Sequence, residues 1–224
     1  MEHPIRIMAP AAALLVSGVL TAGCAAPEPL PEVTQGARPT AAPATPTASE
    51  GPEDATAPKA AAPSGATLGG AGSACALPVS FALAEKWEPE AIEDPENPEF
   101  AALTRQGPAT VRCEVDAKPA GHVGYLRVWT VAKGPARAAL EGFVKAEEKS
   151  TAVTYRETKA GALPATEVTY TVADELLEEP KEERAFAVAT PKGTVIVHLG
   201  GLDTAEHRAM LPAYELARTT VKAG

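Results

Sequence analysis

The sequence predicts an α+β domain over residues 74–224, an antiparallel β-sheet covered by helices, with a different kind of chain ahead of it. Three observations carry this. All ten Phe, Trp and Tyr residues of the 224-residue chain lie after residue 74. From there on, several short stretches alternate apolar and polar side chains, the period of a half-buried strand. Two further stretches repeat apolar residues at helical spacing, and strands mixed with few helices suit an antiparallel sheet with helices on it. A domain of about 150 residues buries roughly 70% of its unfolded surface and needs no metal to fold. A collagen repeat, a coiled-coil heptad and multiple membrane spans are absent from the sequence. The net charge of −9 argues against nucleic acid as a partner, because phosphates select basic surfaces.

The elements follow in chain order. A polar start with Arg6 precedes an apolar run over residues 7–20. At about 14 residues the run is shorter than the roughly 20 that span a bilayer, and matches the apolar region of a signal peptide. An ordinary secretory peptide would share that run. Leu20-Thr21-Ala22-Gly23-Cys24, however, resembles the lipobox of bacterial lipoproteins, with Thr21 where Leu is commonest. The resemblance implies that residues 1–23 are a lipoprotein signal peptide cleaved before Cys24. It also implies a diacylglyceryl group on the Cys24 sulfur, with acyl chains of the palmitate class. Two acyl chains anchor a protein stably where one is marginal. The expected location is the cell membrane, lipid-anchored on its outer, extracytoplasmic face, with no cofactor beyond the covalent diacylglycerol.

Residues 24–73 are rich in Pro, Ala, Thr and Gly, with Leu30, Val33 and Leu68 as their large apolar side chains. Such composition cannot offset the entropy of ordering, so the segment reads as a disordered tether with polyproline II bias. As a coil it would average about 40 Å end to end.

Cys75, Leu77, Val79, Phe81 and Leu83 share one parity and make a first strand. Ala109, Val111, Cys113 and Val115 make a second. Residues 122–131 are apolar on both faces and make a central third. Gly134-Pro135 opens a helix through about Lys149, with Ala136, Ala139, Leu140, Phe143 and Val144 as its buried stripe. Four more strands are read at 152–157, 165–172, 184–190 and 194–199, the last two joined by a Pro191-Lys192-Gly193 turn. The closing helix starts at Asp203, with Glu206 completing a capping box. Its buried stripe is Met210, Ala213, Tyr214, Ala217 and Val221, and Pro212 inside it predicts a kink near Arg208.

Cys75 and Cys113 fall on the inward parity of the first two strands. If those strands are neighbours, the sulfurs meet at a separation a disulfide accepts, and export implies an oxidising compartment. Two buried free thiols are the competing reading. No Cys-x-x-Cys supports a redox role.

The part after Cys75 resembles the actinobacterial LpqN-type lipoproteins and, behind them, the PsbP-like fold. The residues that carry this are Val79-Ser80-Phe81-Ala82-Leu83 with Trp87, then Gly161-Ala162-Leu163-Pro164-Ala165 with Val168-Thr169-Tyr170. Arg184 to Thr190 and Val195-Ile196-Val197 before the closing helix complete the match. Glu85-Lys86 stands where that pattern has Pro-Gly. The resemblance implies an αβα sandwich and an envelope binding or accessory role. It brings no catalytic motif.

Residues for chemistry are few. Ser73, Ser80 and Ser150 lie in no Gly-x-Ser-x-Gly, and Gly200-Gly201 lacks the Lys-Ser/Thr of a phosphate loop. His198, Asp203, Glu206 and His207 cluster in sequence, but without His-x-x-x-His spacing they read as structural rather than as a zinc site. Two acidic stretches, 85–99 and 174–183, lack the calcium-loop pattern. In the second, Asp174, Glu175, Leu176, Leu177, Glu178 and Glu179 read as a solvated hairpin loop whose leucine pair is a candidate docking knob. The function expected is a non-enzymatic binding or accessory module of the envelope, with an envelope protein or glycolipid as partner. The alternative is a carrier of a small apolar ligand or glycolipid in a pocket between the sheet and the Pro212 helix, lined by Trp129 and Tyr214. An envelope hydrolase using His198 or His207 is the least favoured reading.

Overall fold

The computed structural model describes residues 62–70, 72–173 and 179–224. The expected signal peptide, Cys24, most of the expected tether and residues 174–178 lie outside the described residues. Regular structure is present within the span read as tether. β1 (Ser64–Leu68) falls in the span read as tether, and its Leu68 is fully buried. A single Leu among small residues carries no periodic signal, which is why composition hid this strand.

β2 (Val79–Ala84) places Val79, Phe81 and Leu83 inward. Its pairing is with β1, in antiparallel register. β3 (Glu88–Ala91) is short and acidic, and a 3₁₀ turn at Pro98–Thr104 leads into β4 (Arg105–Gln106). β5 (Ala109–Asp116) and β6 (Gly124–Val131) are joined through a 3₁₀ turn at Lys118–Ala120. α1 (Ala136–Lys145) buries Ala139, Leu140, Phe143 and Val144, four of the five residues of the expected stripe.

α1 ends four residues before the expected point. Lys149 takes a left-handed φ of 67°, and the β-branched residues Thr151, Val153 and Thr154 then favour a strand. β7 (Ser150–Ala160) is therefore longer than the 152–157 expected, and β8 (Leu163–Val172) follows it. Gly161 makes their turn possible. Its φ is 56°, and a Cβ there would lie 2.0 Å from the Val221 carbonyl oxygen.

β9 (Lys181–Thr190) and β10 (Gly193–Gly201) are each extended beyond the predicted cores, and α2 (Thr204–Thr219) runs continuously through Pro212. Asp203 caps α2 by accepting from the Glu206 N–H at 2.8 Å. Glu206 does not reach back to complete the box. Its carboxylate instead accepts from the Val123 N–H at 3.2 Å and lies 3.3 Å from His122 Nδ1. β11 (Lys222–Ala223) closes the chain beside β2.

Two sheets result: β1-β2-β11, and an eight-stranded sheet ordered β3-β5-β6-β10-β9-β8-β7 with β4 also on β5. The named strand pairs are antiparallel, the α+β class expected. The larger sheet buries both faces. On one, α1 covers Val111, Trp129, Val168, Tyr170 and Ile196. On the other, α2 and the small sheet cover Val128, Phe186, Val188, Val197 and Leu199.

The register of β5 on β6 shifts between Val111 and Cys113. That bulge sends Val111 to the α1 face and Cys113 to the α2 face, so the four residues read as one parity divide between the two faces. Cys113 is joined to Cys75 in a disulfide with 6.0 Å between Cα atoms. The pairing expected is present, but its geometry is not the one expected. Cys75 precedes β2, and β2 and β5 belong to different sheets, so the bond staples the small sheet onto the large one.

Candidate functional site

Side chains at alternate positions of β6, β9 and β10 converge on the α1 side of the sheet, beyond the C-terminal end of the helix. Tyr125, Arg127 and Trp129 come from β6, Lys181 and Glu183 from β9, and His198 from β10. The 147–149 turn after α1 and Gln106 of β4 form the opposite wall. Together they enclose a cavity of about 570 Å³, within the size range of small-molecule sites. Gly200 is needed for this shape, since a Cβ there would lie 2.6 Å from the Tyr125 ring.

Glu183 and His198 are 4% and 6% exposed. A buried carboxylate must be paired and hydrogen-bonded to be tolerated. Here Oε2 lies 2.8 Å from His198 Nε2 and Oε1 lies 3.0 Å from Lys181 Nζ. Burial alone would raise the Glu183 carboxyl; His198 and Lys181 outweigh it and hold the group below the usual carboxylate range. Tyr170 OH is 3.3 Å from the same His198 nitrogen. Burial, reinforced by the Glu183 charge, raises the Tyr170 hydroxyl well above its ordinary value, so it stays neutral.

The rest of the lining is similarly engaged. Arg127 donates from Nε to Glu114 at 2.7 Å and from Nη1 to Tyr125 OH at 3.3 Å, with its guanidinium 4.0 Å from the Tyr125 ring centre. Phe143 meets the Trp129 ring edge-on at 5.3 Å and the His198 ring at 5.5 Å. Glu147, half-buried, is raised by desolvation and accepts from Gln106 Nε2 at 3.5 Å. Trp129 Nε1 and His198 Nδ1 are buried and have no hydrogen-bond partner among the described residues. Among the described residues, the lining holds acid–base groups and no Ser, Thr or Cys.

Of the residues singled out from sequence, Trp129 lines the cavity. Tyr214 does not. It lies on the other face of the sheet, fully buried, with its hydroxyl donating to Glu167 Oε1 at 3.0 Å. The expected pocket shared by Trp129 and Tyr214 therefore does not exist. The parity of β6 assigns Trp129 to the α1 face, while α2 packs on the opposite one. A second cleft of about 390 Å³ runs beside Pro212, but Trp87 and Met210 line it.

Glu179 is exposed, next to the undescribed 174–178. Residues 181–183, read as the end of a solvated loop, are instead the start of β9. His198 and His207 do not come together as a site: the first pairs with Glu183, and the second is buried on α2. Sequence reasoning missed Glu183, Lys181, Tyr125 and Arg127. The available signal was parity, since Glu183 falls in step with Ala185 and Ala187, both fully buried.

The described residues form an α+β head with a polar, aromatic-walled cavity beside the end of α1. A family model described as uncharacterised lipoprotein matches residues 45–221. The chain belongs to that lipoprotein family. No match to it is found among curated proteins. Among the described residues, no helix is long and apolar enough to cross a membrane.

Proposed function

We propose that this lipoprotein is a non-enzymatic ligand-binding module of the cell envelope, held on the outer face of the membrane by a diacylglyceryl group on Cys24. The observation that carries this reading is the cavity of about 570 Å³ built on the buried Glu183–His198–Lys181 network. A fold that keeps a charged network at such depth bears a desolvation cost, and a binding function accounts for it. Acid–base groups without a nucleophile beside them favour binding over hydrolysis. The likeness of residues 75–224 to LpqN-type and PsbP-like proteins agrees with an accessory role.

The test is native mass spectrometry of the full-length protein extracted from its host. The wild type should carry a co-purifying small molecule that His198→Gln loses at unchanged thermal midpoint. An unliganded wild type, or a ligand kept in full by the variant, would remove the cavity as the site.

A second reading is docking of an envelope protein at residues 174–179. Ala173, immediately before that segment, lines the cavity, so a partner seated there would also meet the cavity's edge. Deleting residues 174–178 should then abolish capture of that partner while leaving the small molecule bound.

A further inference from the structure

Resting on the reading of the cavity as a binding site, we propose that its ligand is a short peptide with both ends free. Arg127 and Tyr125 on the sheet bind its carboxylate, and Glu147 and Gln106 on the facing wall bind its ammonium.

These four side chains stand open to the cavity they line. Arg127 keeps 36% of its side chain exposed, and Gln106, Tyr125 and Glu147 are half-buried. Their spare bonding capacity differs between the two sides. On the sheet, Arg127 spends Nε on Glu114 and one Nη1 proton on Tyr125 OH. Its Nη2 donors have no partner among the described residues. Tyr125 OH accepts from Arg127 at 3.3 Å and has its own proton left to donate. Burial raises that hydroxyl above its ordinary value and keeps it neutral. The sheet side thus offers neighbouring donors, one of them cationic, which is what a carboxylate needs.

The facing wall offers acceptors. Gln106 Nε2 donates to the Phe143 carbonyl at 3.3 Å and to Glu147 Oε2 at 3.5 Å, so its Oε1 is left to accept. Glu147 Oε1 has no partner among the described residues. Desolvation raises the Glu147 carboxyl, and an ammonium beside it offsets that cost.

The remaining charges do not change this polarity. Glu183 already meets Lys181 through one oxygen and His198 through the other, and Glu148 and Lys149 are exposed. The described lining carries three basic and three acidic side chains. A simple anion or cation would gain at one wall and lose at the other, whereas a zwitterion gains at both. An uncharged ligand would desolvate Glu147 further without compensation.

Size then selects among zwitterions. A cavity of about 570 Å³ measures about 10 Å across as a sphere, and an extended chain spans about 3.5 Å per residue. Two or three residues therefore reach from wall to wall, while a single amino acid holds its charges too close together. The head of a zwitterionic lipid carries the same charges. However, Trp129, Val172 and Ala173 are the only apolar side chains of the described lining, too few to receive acyl chains.

Calorimetric titration and side-chain spectra of the full-length ¹⁵N-labelled protein in maltoside micelles test this. The probes are Ala-Ala and Ala-Ala-Ala. N-acetyl-Ala-Ala lacks the ammonium, Ala-Ala amide lacks the carboxylate, and phosphoethanolamine stands for the lipid head. A free peptide should bind saturably and shift the Gln106 amide and Arg127 Nε–H signals. Blocking either end should weaken binding at least tenfold. Glu147→Gln should erase the preference for a free amine and keep that for a free carboxylate, and Arg127→Gln should do the reverse. The blocked peptides test the wild type alone, so a variant that fails to fold leaves the proposal open to refutation. Blocked peptides that bind as tightly as free ones overturn it, as does binding of phosphoethanolamine in place of peptides. In either case the cavity remains a binding site of another class. No binding by either free peptide also overturns the proposal, and if nothing co-purifies from the host the binding reading falls with it.

Discussion

His207 shows how a single buried side chain sets the behaviour of this domain in acid. It is 1% exposed on α2, and burial, working against the pull of Glu183, pushes its imidazole down to about 4. An unfolded chain binds a proton at His207 near pH 6.5, so it takes up a proton the folded chain refuses. Stability from this residue is complete above pH 6.5 and falls by about 3 kcal/mol in all as the pH drops to 4. Urea midpoints at pH 7 and 4.5 should converge in His207→Leu relative to the wild type; an equal acid loss in both would contradict this. Glu183 acts at lower pH. Its folded value lies below that of the unfolded carboxylate, so its contribution holds above about pH 4.5 and disappears on further acidification. Glu167 is the matching buried carboxylate on the other face, 2% exposed and bonded by Tyr214 and Arg156. Tyr214→Phe removes a donor from it and should cost about 1–3 kcal/mol in denaturant melts. A cost near zero would show that Arg156 alone suffices. None of these pairings was legible in the sequence. Strand alternation marks which side a residue faces, but not which side chain from a distant strand arrives beside it.

Among the elements, β5 shows where alternation fails. The bulge between Val111 and Cys113 lets one strand serve both cores, and it turns Cys113 toward the small sheet. Reading Ala109 to Val115 as one face found the right cysteine pair for the wrong reason, because the sequence contains no mark of the extra residue. The staple itself has a measurable weight. A disulfide closing 38 residues stabilises by up to about 4 kcal/mol in the chain-entropy model. A Cys75→Ser, Cys113→Ser double variant should lose an amount of that order in urea melts. An unchanged midpoint would mean that the small sheet holds without it. Helices were more legible. The α1 stripe follows directly from 3.6-residue spacing, whereas its C-terminal end required the left-handed Lys149, which sequence does not single out. The stop at Lys145 also shapes the site. A helix continuing to 149 would occupy the place where the 147–149 turn now walls the cavity.

At the scale of the whole molecule, the sequence places the folded head by composition, since all ten aromatic residues lie after residue 74. The start of the head was not legible, since β1 is built from small residues of the kind read as tether. The anchor is the part most open to direct test. Alkynyl palmitate fed to the host should label the wild type in the membrane fraction, and Cys24→Ser should be unlabelled and released. Label retained by the variant would place the lipid elsewhere. The central claim is that the head binds its ligand in the cavity beside the end of α1. Amide hydrogen exchange of the full-length protein, with and without a small-molecule and lipid extract of host envelope, tests it most directly. The account predicts slowed exchange at 125–129, 147–149, 172–173 and 181–183, with the face beneath α2 unchanged. Protection beside Pro212, or none in these four segments, would contradict it.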